Sequence, residues 1–277
     1  MPMRSFVLAV GFVCASLTGA LAQEADREKE LGTLFEVLKL GETISLLRKE
    51  AIANGRDLSE TFLGDPASEV WMAEVQRIND PERMRSLVEA EMSEALKGED
   101  IAGMIAFFDR PEGQRILKLE LAARDIMTDA SAAEAAILSY QDAREDGAPI
   151  IAHIDRMTAD SDLIERNVEG ALNTNLMFFR GMADGGAYDG TDTEMARDVW
   201  RQESELREEM TDWLGAFQFL AYAPLDDALL TDYSTFFRTS EGRALNHALF
   251  EGFNRMLDET SYLTGRALAD HALAERL

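Results

Sequence analysis

The sequence predicts an all-α protein built from two tandemly duplicated helical units that pack with approximate pseudo-twofold symmetry. Apolar residues recur at helical spacing along most of the 277 residues, and no stretch alternates convincingly with a period of two. The phrase FFDRPEGQR at 107–115 recurs as FFRTSEGRA at 236–244. A phrase repeated at long range within one chain indicates that a structural unit was duplicated.

The first 22 residues have the composition of a cleavable secretory signal peptide. Arg4 precedes an apolar run that ends in Ala20-Leu21-Ala22, the basic start and small-residue cleavage site typical of such signals. We expect cleavage after Ala22 and a periplasmic mature chain. Because glycine, serine and threonine dilute the apolar run, it does not predict stable membrane insertion after cleavage.

The charge and cysteine content exclude several classes of protein. Asp and Glu number 52 against 27 Lys and Arg, for a net charge of −25. This acidic surface repels nucleic-acid phosphates and anionic headgroups, so neither is an expected partner. Cys14 is the only cysteine and lies in the predicted signal, so the mature chain has no disulfide, thiol nucleophile or cysteine metal ligand.

Several helix starts are marked by capping residues. Asp80 before Pro81 places an N-cap residue ahead of a first-turn proline, and Asp65-Pro66 repeats this device. Thr191 and Glu194 have the spacing of a capping box.

Apolar stripes define the helix bodies that follow these starts. Long helical patterns cover 28–54, 112–140, 150–182 and 241–273. One stripe over 81–97 comprises Met84, Leu87, Val88, Met92, Ala95 and Leu96. A second stripe comprises Leu206, Met210, Trp213, Leu214, Phe217 and Leu220.

Aligning the chain with itself at an offset of 129 residues extends the repeat beyond the quoted phrase. Trp71 then falls opposite Trp200, which predicts equivalent buried positions for the two tryptophans. The units are predicted at 23–146 and 147–277, with a break at the EDGAP stretch, and we expect them to pack as one globular body. The matched motif residues are Phe107, Phe108, Glu112 and Gly113, aligned with Phe236, Phe237, Glu241 and Gly242.

The repeated motif is interpreted as scaffold. Asp109 and Thr239 are the expected caps of the helices that follow the aromatic pairs, and a first-turn glutamate complements the helix dipole. A glycine in a first turn costs about 1 kcal/mol relative to alanine, so close backbone packing is expected at Gly113 and Gly242. The alternative is that Glu112 and Glu241 form a symmetric carboxylate pair for catalysis or metal binding.

These residues resemble a bacterial family, domain of unknown function 2059. Its phrase is close to aromatic-aromatic-x-Ser-Pro-x-Gly-Gln, which Pro111, Gly113 and Gln114 match, and a second copy of the motif follows at 236–244. Arg110 replaces the usual serine, and the second copy has Ser240 and Arg243 where proline and glutamine are usual. The resemblance covers about 80–125 and 208–250. It implies an exported helical protein of unassigned function and supplies no catalytic residues.

The chain shows no established catalytic or metal motif. Its three histidines lack the spacings of zinc proteases and di-iron bundles, and no phosphate-binding glycine loop occurs. His247 and Glu251 form an i,i+4 pair that is interpreted as a surface helix pair, with weak metal binding as the alternative. No catalytic residue, metal or cofactor is therefore predicted.

Three polar residues are candidate ligand-binding groups: Asn175, Arg180 and Asn246. The two asparagines interrupt apolar helix faces, where unpaired amides are costly. They either join helices by hydrogen bonds or line a small-molecule pocket. The sequence favours a non-enzymatic periplasmic protein that binds a protein or small-molecule partner or supports the envelope. The alternative is a hydrolase or lyase that uses carboxylates without a metal.

Overall fold

Every regular element among the described residues is a helix, and none of them is a strand. The computed structural model describes residues 14–64 and 68–274, with side chains for 24–64 and 68–273. No side chain of the predicted signal peptide is described, and the predicted Asp65-Pro66 start lies outside the described residues. The helices are α1 (Cys14–Val37), α2 (Leu40–Leu58), a π-helical segment (Ser59–Leu63), α3 (Glu69–Ile78), α4 (Pro81–Ala95), α5 (Ile101–Phe108), α6 (Pro111–Met127), α7 (Ala130–Glu145), α8 (Pro149–Asp160), α9 (Leu163–Asp184), α10 (Asp192–Trp200), α11 (Glu203–Tyr222), α12 (Asp227–Phe237) and α13 (Ser240–Ala274).

Two predicted helix starts are confirmed by their hydrogen bonds. The Asp80 carboxylate accepts from the backbone N–H of Arg83 at 2.9 Å, with Pro81 in the first turn. Thr191 and Glu194 form a complete capping box, in which each side chain accepts from the other residue's backbone N–H. These bonds satisfy donors that a helix start otherwise leaves without partners.

Three of the four long helical patterns are broken once in the structure. Lys39 and Asp162 adopt left-handed backbone conformations, with φ of 59° and 53°, and they separate α1 from α2 and α8 from α9. Asp129 caps α7 and ends the pattern that begins with α6. The pattern 241–273 stays unbroken in α13, a helix of 35 residues.

The largest buried cluster draws side chains from both halves of the chain. From α4 it takes most of the predicted stripe, which packs against the apolar face of α13. The buried members from these two helices include Met84, Val88, Met92, Leu245, Ala248 and Met256. A core shared in this way joins the residues before and after the EDGAP break, where Gly147 adopts a φ of 67°. Among the described residues, no helix has the length and apolar character needed to cross a bilayer.

The two aligned tryptophans lie in different environments, so the expectation for Trp200 is wrong. Trp71 is 0% exposed, whereas Trp200 is 61% exposed. Trp71 packs among Val75, Ile78 and Leu268 on α3 and α13. Trp200 ends the short helix α10, and its indole borders a surface groove beside α9 rather than entering the core.

Helices α9 and α13 approach each other closely because glycines face each other across their contact. A Cβ on Gly181 would overlap the backbone of Tyr262, and a Cβ on Gly265 would overlap the backbone of Phe178. Without side chains at these positions, the two backbones come into direct contact. The α9–α13 pair is the most extensive helix contact among the described residues.

Candidate functional site

The two glycines of the repeated motif play the same structural role. A Cβ on Gly113 would lie 2.6 Å from the carbonyl oxygen of Phe107, and one on Gly242 would overlap that of Phe236. In both places the first turn of a helix lies against the end of the preceding helix. This confirms the close packing that the sequence predicts for these glycines.

Of the two predicted N-caps, the one at Thr239 is confirmed and the one at Asp109 is wrong. Thr239 caps α13, since its hydroxyl oxygen accepts from the backbone N–H of Gly242 at 3.0 Å. Asp109 does not cap α6, because it lies at the C-terminal end of α5 and its own N–H donates to Ile105. Arg110 occupies the N-cap position of α6 without a side-chain hydrogen bond, leaving Pro111 to start the helix.

The carboxylates of the motif stay near the surface. Glu112 is exposed and Glu241 is half-buried. Hydrogen bonds from its own backbone N–H and from the Ser240 hydroxyl hold the pKa of Glu241 below its ordinary value, as expected for a carboxylate at a helix start. Neither residue lines the cavity described below.

The aromatic pairs of the two motif copies pack against each other. The rings of Phe107 and Phe236 stack with centroids 4.1 Å apart and planes inclined by 21°. Phe237 contacts Phe236 edge to face, at 5.4 Å. Tyr233, one helical turn before this pair, packs edge-on against Phe108 and Phe237 at 6.4 and 5.1 Å. Aromatic rings from both motif copies therefore pack against Tyr233.

The hydroxyl of Tyr233 points to a carboxyl group from the other half of the chain. Glu120 lies on α6, and its Oε1 accepts hydrogen bonds from Tyr222 at 2.8 Å and Tyr233 at 2.7 Å. Both tyrosines are only 5% exposed. One carboxyl oxygen thus receives two buried donors, and Oε2 has no hydrogen-bond donor among the described side chains.

Burial shifts the proton equilibria of all three groups. Desolvation raises the pKa of Glu120 above its ordinary value near 4.5, and the hydrogen bonds from Tyr233 and Tyr222 only partly offset this rise. Desolvation, together with the neighbouring Glu120 charge, raises the pKa of Tyr222 and of Tyr233 well above 10. Both tyrosines therefore remain protonated donors at neutral pH.

Glu120 and the two tyrosines line a cavity of about 220 Å³ between α6, α8, α9, α11, α12 and α13, which we call the Glu120 cavity. Its apolar wall consists of Met157, Leu163, Leu214, Phe217 and Phe237. Its other polar members are Ser161, Gln218 and Asn246. Gln218 is buried and accepts from Thr158 through Oε1 at 2.8 Å. The site is thus mostly apolar with a few polar groups, the usual make-up of a ligand pocket.

The structure does not bring the three predicted ligand-binding residues into one cavity. Asn246 lines the Glu120 cavity and donates to the backbone oxygen of Ser161 at 3.3 Å. Asn175 is half-buried in a separate groove between α2, α9 and α13. Arg180 is exposed on α9 and lines neither space.

Sequence reasoning missed Glu120, Tyr222 and Tyr233. A signal for Glu120 was present, because it lies four residues after buried Ile116 and three before buried Ala123, on the apolar face of α6. An acid at such a position is costly unless it is hydrogen-bonded. No local pattern identified its two tyrosine partners, which are 102 and 113 residues away along the chain.

Two of the three histidines each pair with a single carboxylate. His247 and Glu251 lie 3.7 Å apart and are both about half exposed. His153 pairs with Asp227 at 2.6 Å. Among the described side chains, no group of three or more His, Cys, Asp or Glu residues has the arrangement of a metal site.

Glu120→Gln is expected to change how stability depends on pH. Because the folded pKa of Glu120 is raised from its ordinary value of 4.5, the folded protein retains a proton that the unfolded chain loses above that pH. As pH rises from this unfolded value through the folded pKa, the free energy of unfolding of the parent should therefore fall relative to that of Glu120→Gln. Above the folded pKa, the two stability curves should run parallel. Urea unfolding across this range measures the difference.

The matched control for this measurement is Glu112→Gln, which neutralises an exposed acid on the same helix. Any pH dependence that both variants share comes from removing a negative charge on α6 and not from the surroundings of Glu120. If the Glu120→Gln and parent curves ran parallel across the whole range, burial would not be shifting the proton equilibrium of Glu120.

No family model, curated protein or solved structure matches the chain. These comparisons lend no support to the resemblance to domain of unknown function 2059, which stays a prediction. The chain's own residues are therefore the basis for a functional proposal, and the Glu120 cavity combines a carboxyl group, two tyrosine hydroxyls and an apolar wall.

Proposed function

We propose that this chain is an exported, non-enzymatic binding protein that holds a small molecule in the Glu120 cavity. The observation that carries the proposal is a half-buried carboxyl, held by two buried tyrosine hydroxyls, in a mostly apolar cavity between helices. Hydrogen bonds from two buried tyrosines orient the carboxyl before any ligand arrives, which lowers the entropic cost of binding. Export rests on the signal-like composition of the first 22 residues.

The alternative, a carboxylate-dependent hydrolase or lyase, fits this cavity less well. Such chemistry needs a second acid or base with a separated pKa beside the first. Of the carboxyl groups that the structure describes, only that of Glu120 lines the cavity. Burial raises the pKa of both tyrosines well above 10, which makes them poor bases at neutral pH. The geometry therefore favours binding over catalysis.

The proposal includes the duplication that the sequence predicts. Two features support it: α13 packs on α4 as α6 packs on α11, and Gly113 and Gly242 make matching backbone contacts. The aromatic pairs meet between these elements, near the expected pseudo-twofold axis. The copies have diverged elsewhere, since α13 is twice as long as α6 and Trp200 is exposed. On this view, the Glu120 cavity arose where the copies became different.

Small probes should perturb the tyrosines of this cavity. We expect at least one of benzylamine, benzyl alcohol and benzoate, each at millimolar concentration, to shift the ring signals of Tyr222 and Tyr233. The measurement is NMR of mature protein carrying 13C-labelled tyrosine, with signals assigned through Tyr222→Phe and Tyr233→Phe. Asn246→Ala should weaken the response, whereas Asn175→Ala and Arg180→Ala should leave it intact because they lie outside the cavity.

The proposal fails if all three probes leave both tyrosine signals unmoved at saturating concentration. It also fails if Asn175→Ala abolishes the response while Asn246→Ala preserves it, since the ligand would then occupy the other groove.

A further inference from the structure

The walls of the Glu120 cavity combine one carboxyl with several aromatic rings. Phe217, Tyr222, Tyr233 and Phe237 all line the space that contains Glu120. The ring of Tyr233 lies edge-on to the rings of Tyr222, at 5.9 Å, and Phe237, at 5.1 Å. Aromatic faces attract cations through their quadrupoles, most strongly where water is excluded. Rings gathered around a carboxyl suit a positively charged group.

Resting on the proposed binding function, we infer that the ligand of the Glu120 cavity is a small organic ammonium ion with an apolar body. Its charged nitrogen would lie at the free Oε2 of Glu120, among the aromatic rings. Its apolar body would contact Met157 and Leu214, which are buried in the same wall. The cavity volume of about 220 Å³ limits the ligand to a small molecule.

Among the described side chains, no Lys, Arg or His lines the cavity, so none of them supplies it with positive charge. The hydroxyls of Tyr222 and Tyr233 are the polar partners that act on Glu120 within this part of the chain. An ionised carboxylate buried without a cation is unfavourable, and one that gains a cation recovers much of this cost. A bound ammonium would provide the missing charge, whereas a bound carboxylate or phosphate would add a second negative charge.

The charge of the rest of the protein also favours a positively charged ligand. The net charge of −25 concentrates cations near the surface and speeds their association, and it opposes the approach of anions. Half-buried Ser161 and Asn246 belong to the more accessible part of the lining, where they can accept from the remaining ammonium hydrogens.

Binding of an ammonium ion should release a proton from the protein, whereas binding of an alcohol should not. An ammonium pairs best with ionised Glu120, so binding should lower the pKa of this carboxyl from its raised value. Protonated Glu120 therefore releases a proton when the cation binds, and release should vanish at pH values above its raised pKa. A neutral alcohol can hydrogen-bond with the protonated acid and requires no release.

The test is isothermal titration calorimetry of the mature protein with benzylamine, benzyl alcohol and benzoate, three probes of similar shape and different charge. We expect benzylamine to bind at least about tenfold more tightly than the alcohol and benzoate to bind least. Titrations in buffers of different ionisation enthalpy, between about pH 5 and pH 8, should show proton release with benzylamine alone. Glu120→Gln should abolish this preference, and Glu112→Gln should retain it.

Two results separate this inference from the proposed function. If the alcohol binds as tightly as benzylamine, without proton release, the ammonium inference is overturned while binding in the cavity stands. If no probe binds the parent protein, both ideas are overturned. The proton-release measurement uses the parent protein and therefore decides the question even if Glu120→Gln fails to fold.

Discussion

Trp71→Ala is expected to lower the free energy of unfolding by about 4 kcal/mol, the range measured for large aromatic side chains removed from a core. Trp71 is 0% exposed and packs among the buried residues of α3 and α13. Its Nε1–H also donates to the backbone oxygen of Gly55 at 2.6 Å, which ties α3 to α2. The substitution removes both the packing and this hydrogen bond.

The natural control is Trp200→Ala. Trp200 is aligned with Trp71 by the predicted duplication but is 61% exposed, so its removal should change stability by less than about 0.5 kcal/mol. Chemical denaturation of both variants gives the two values directly. Trp71→Phe should fall between them, because it retains most of the apolar contact and loses the hydrogen bond. Equal losses for the two alanine variants would contradict the burial described here.

Gly242→Ala is expected to destabilise the protein by about 3 kcal/mol, the upper end for overpacking a well-packed site. The added methyl would overlap the carbonyl oxygen of Phe236 and lie 2.7 Å from Cα of Phe237. These are backbone atoms, which cannot move aside as a flexible side chain can. The turn between α12 and α13 must open instead, and this would loosen the stack of Phe236 on Phe107.

Gly41→Ala is the matched control, since Gly41 is also helical and has nothing within 4 Å of an added Cβ. Helix propensity alone makes this variant neutral or up to about 1 kcal/mol more stable. Gly113→Ala should resemble Gly242→Ala, because its Cβ would meet the backbone of Phe107 and Phe108. Melting of Gly242→Ala at the parent temperature would exclude the close-packing account of the motif.

Gly242→Ala should also disturb the Glu120 cavity. Tyr233 lies on α12 just before the affected turn and packs against Phe237. Loosening this turn would release Tyr233 from Glu120. The proposed binding site therefore depends on the scaffold role of the motif, although no motif carboxylate takes part in it.

The sequence by itself determined the all-α class and several of the helix starts. Asp80, Thr191 and Thr239 cap their helices through bonds to residues three positions away. Such contacts form between neighbours along the chain, so residue types at fixed spacing are enough to predict them. The prediction that Asp109 caps α6 was wrong for a reason that is also local in the sequence. Pro111, two residues later, occupies the first turn, so the N-cap position falls on Arg110.

Only the tertiary structure decided which polar groups meet and which aromatic residues are buried. Glu120 joins Tyr222 and Tyr233 only after α6, α11 and α12 pack together, and Asn175 is separated from Asn246 by the same packing. Trp200 is aligned with Trp71 by sequence, yet it lies on the surface because the helices around the two residues pack differently. Contacts between residues about a hundred positions apart depend on how whole helices fit together, and helical spacing carries no record of that arrangement.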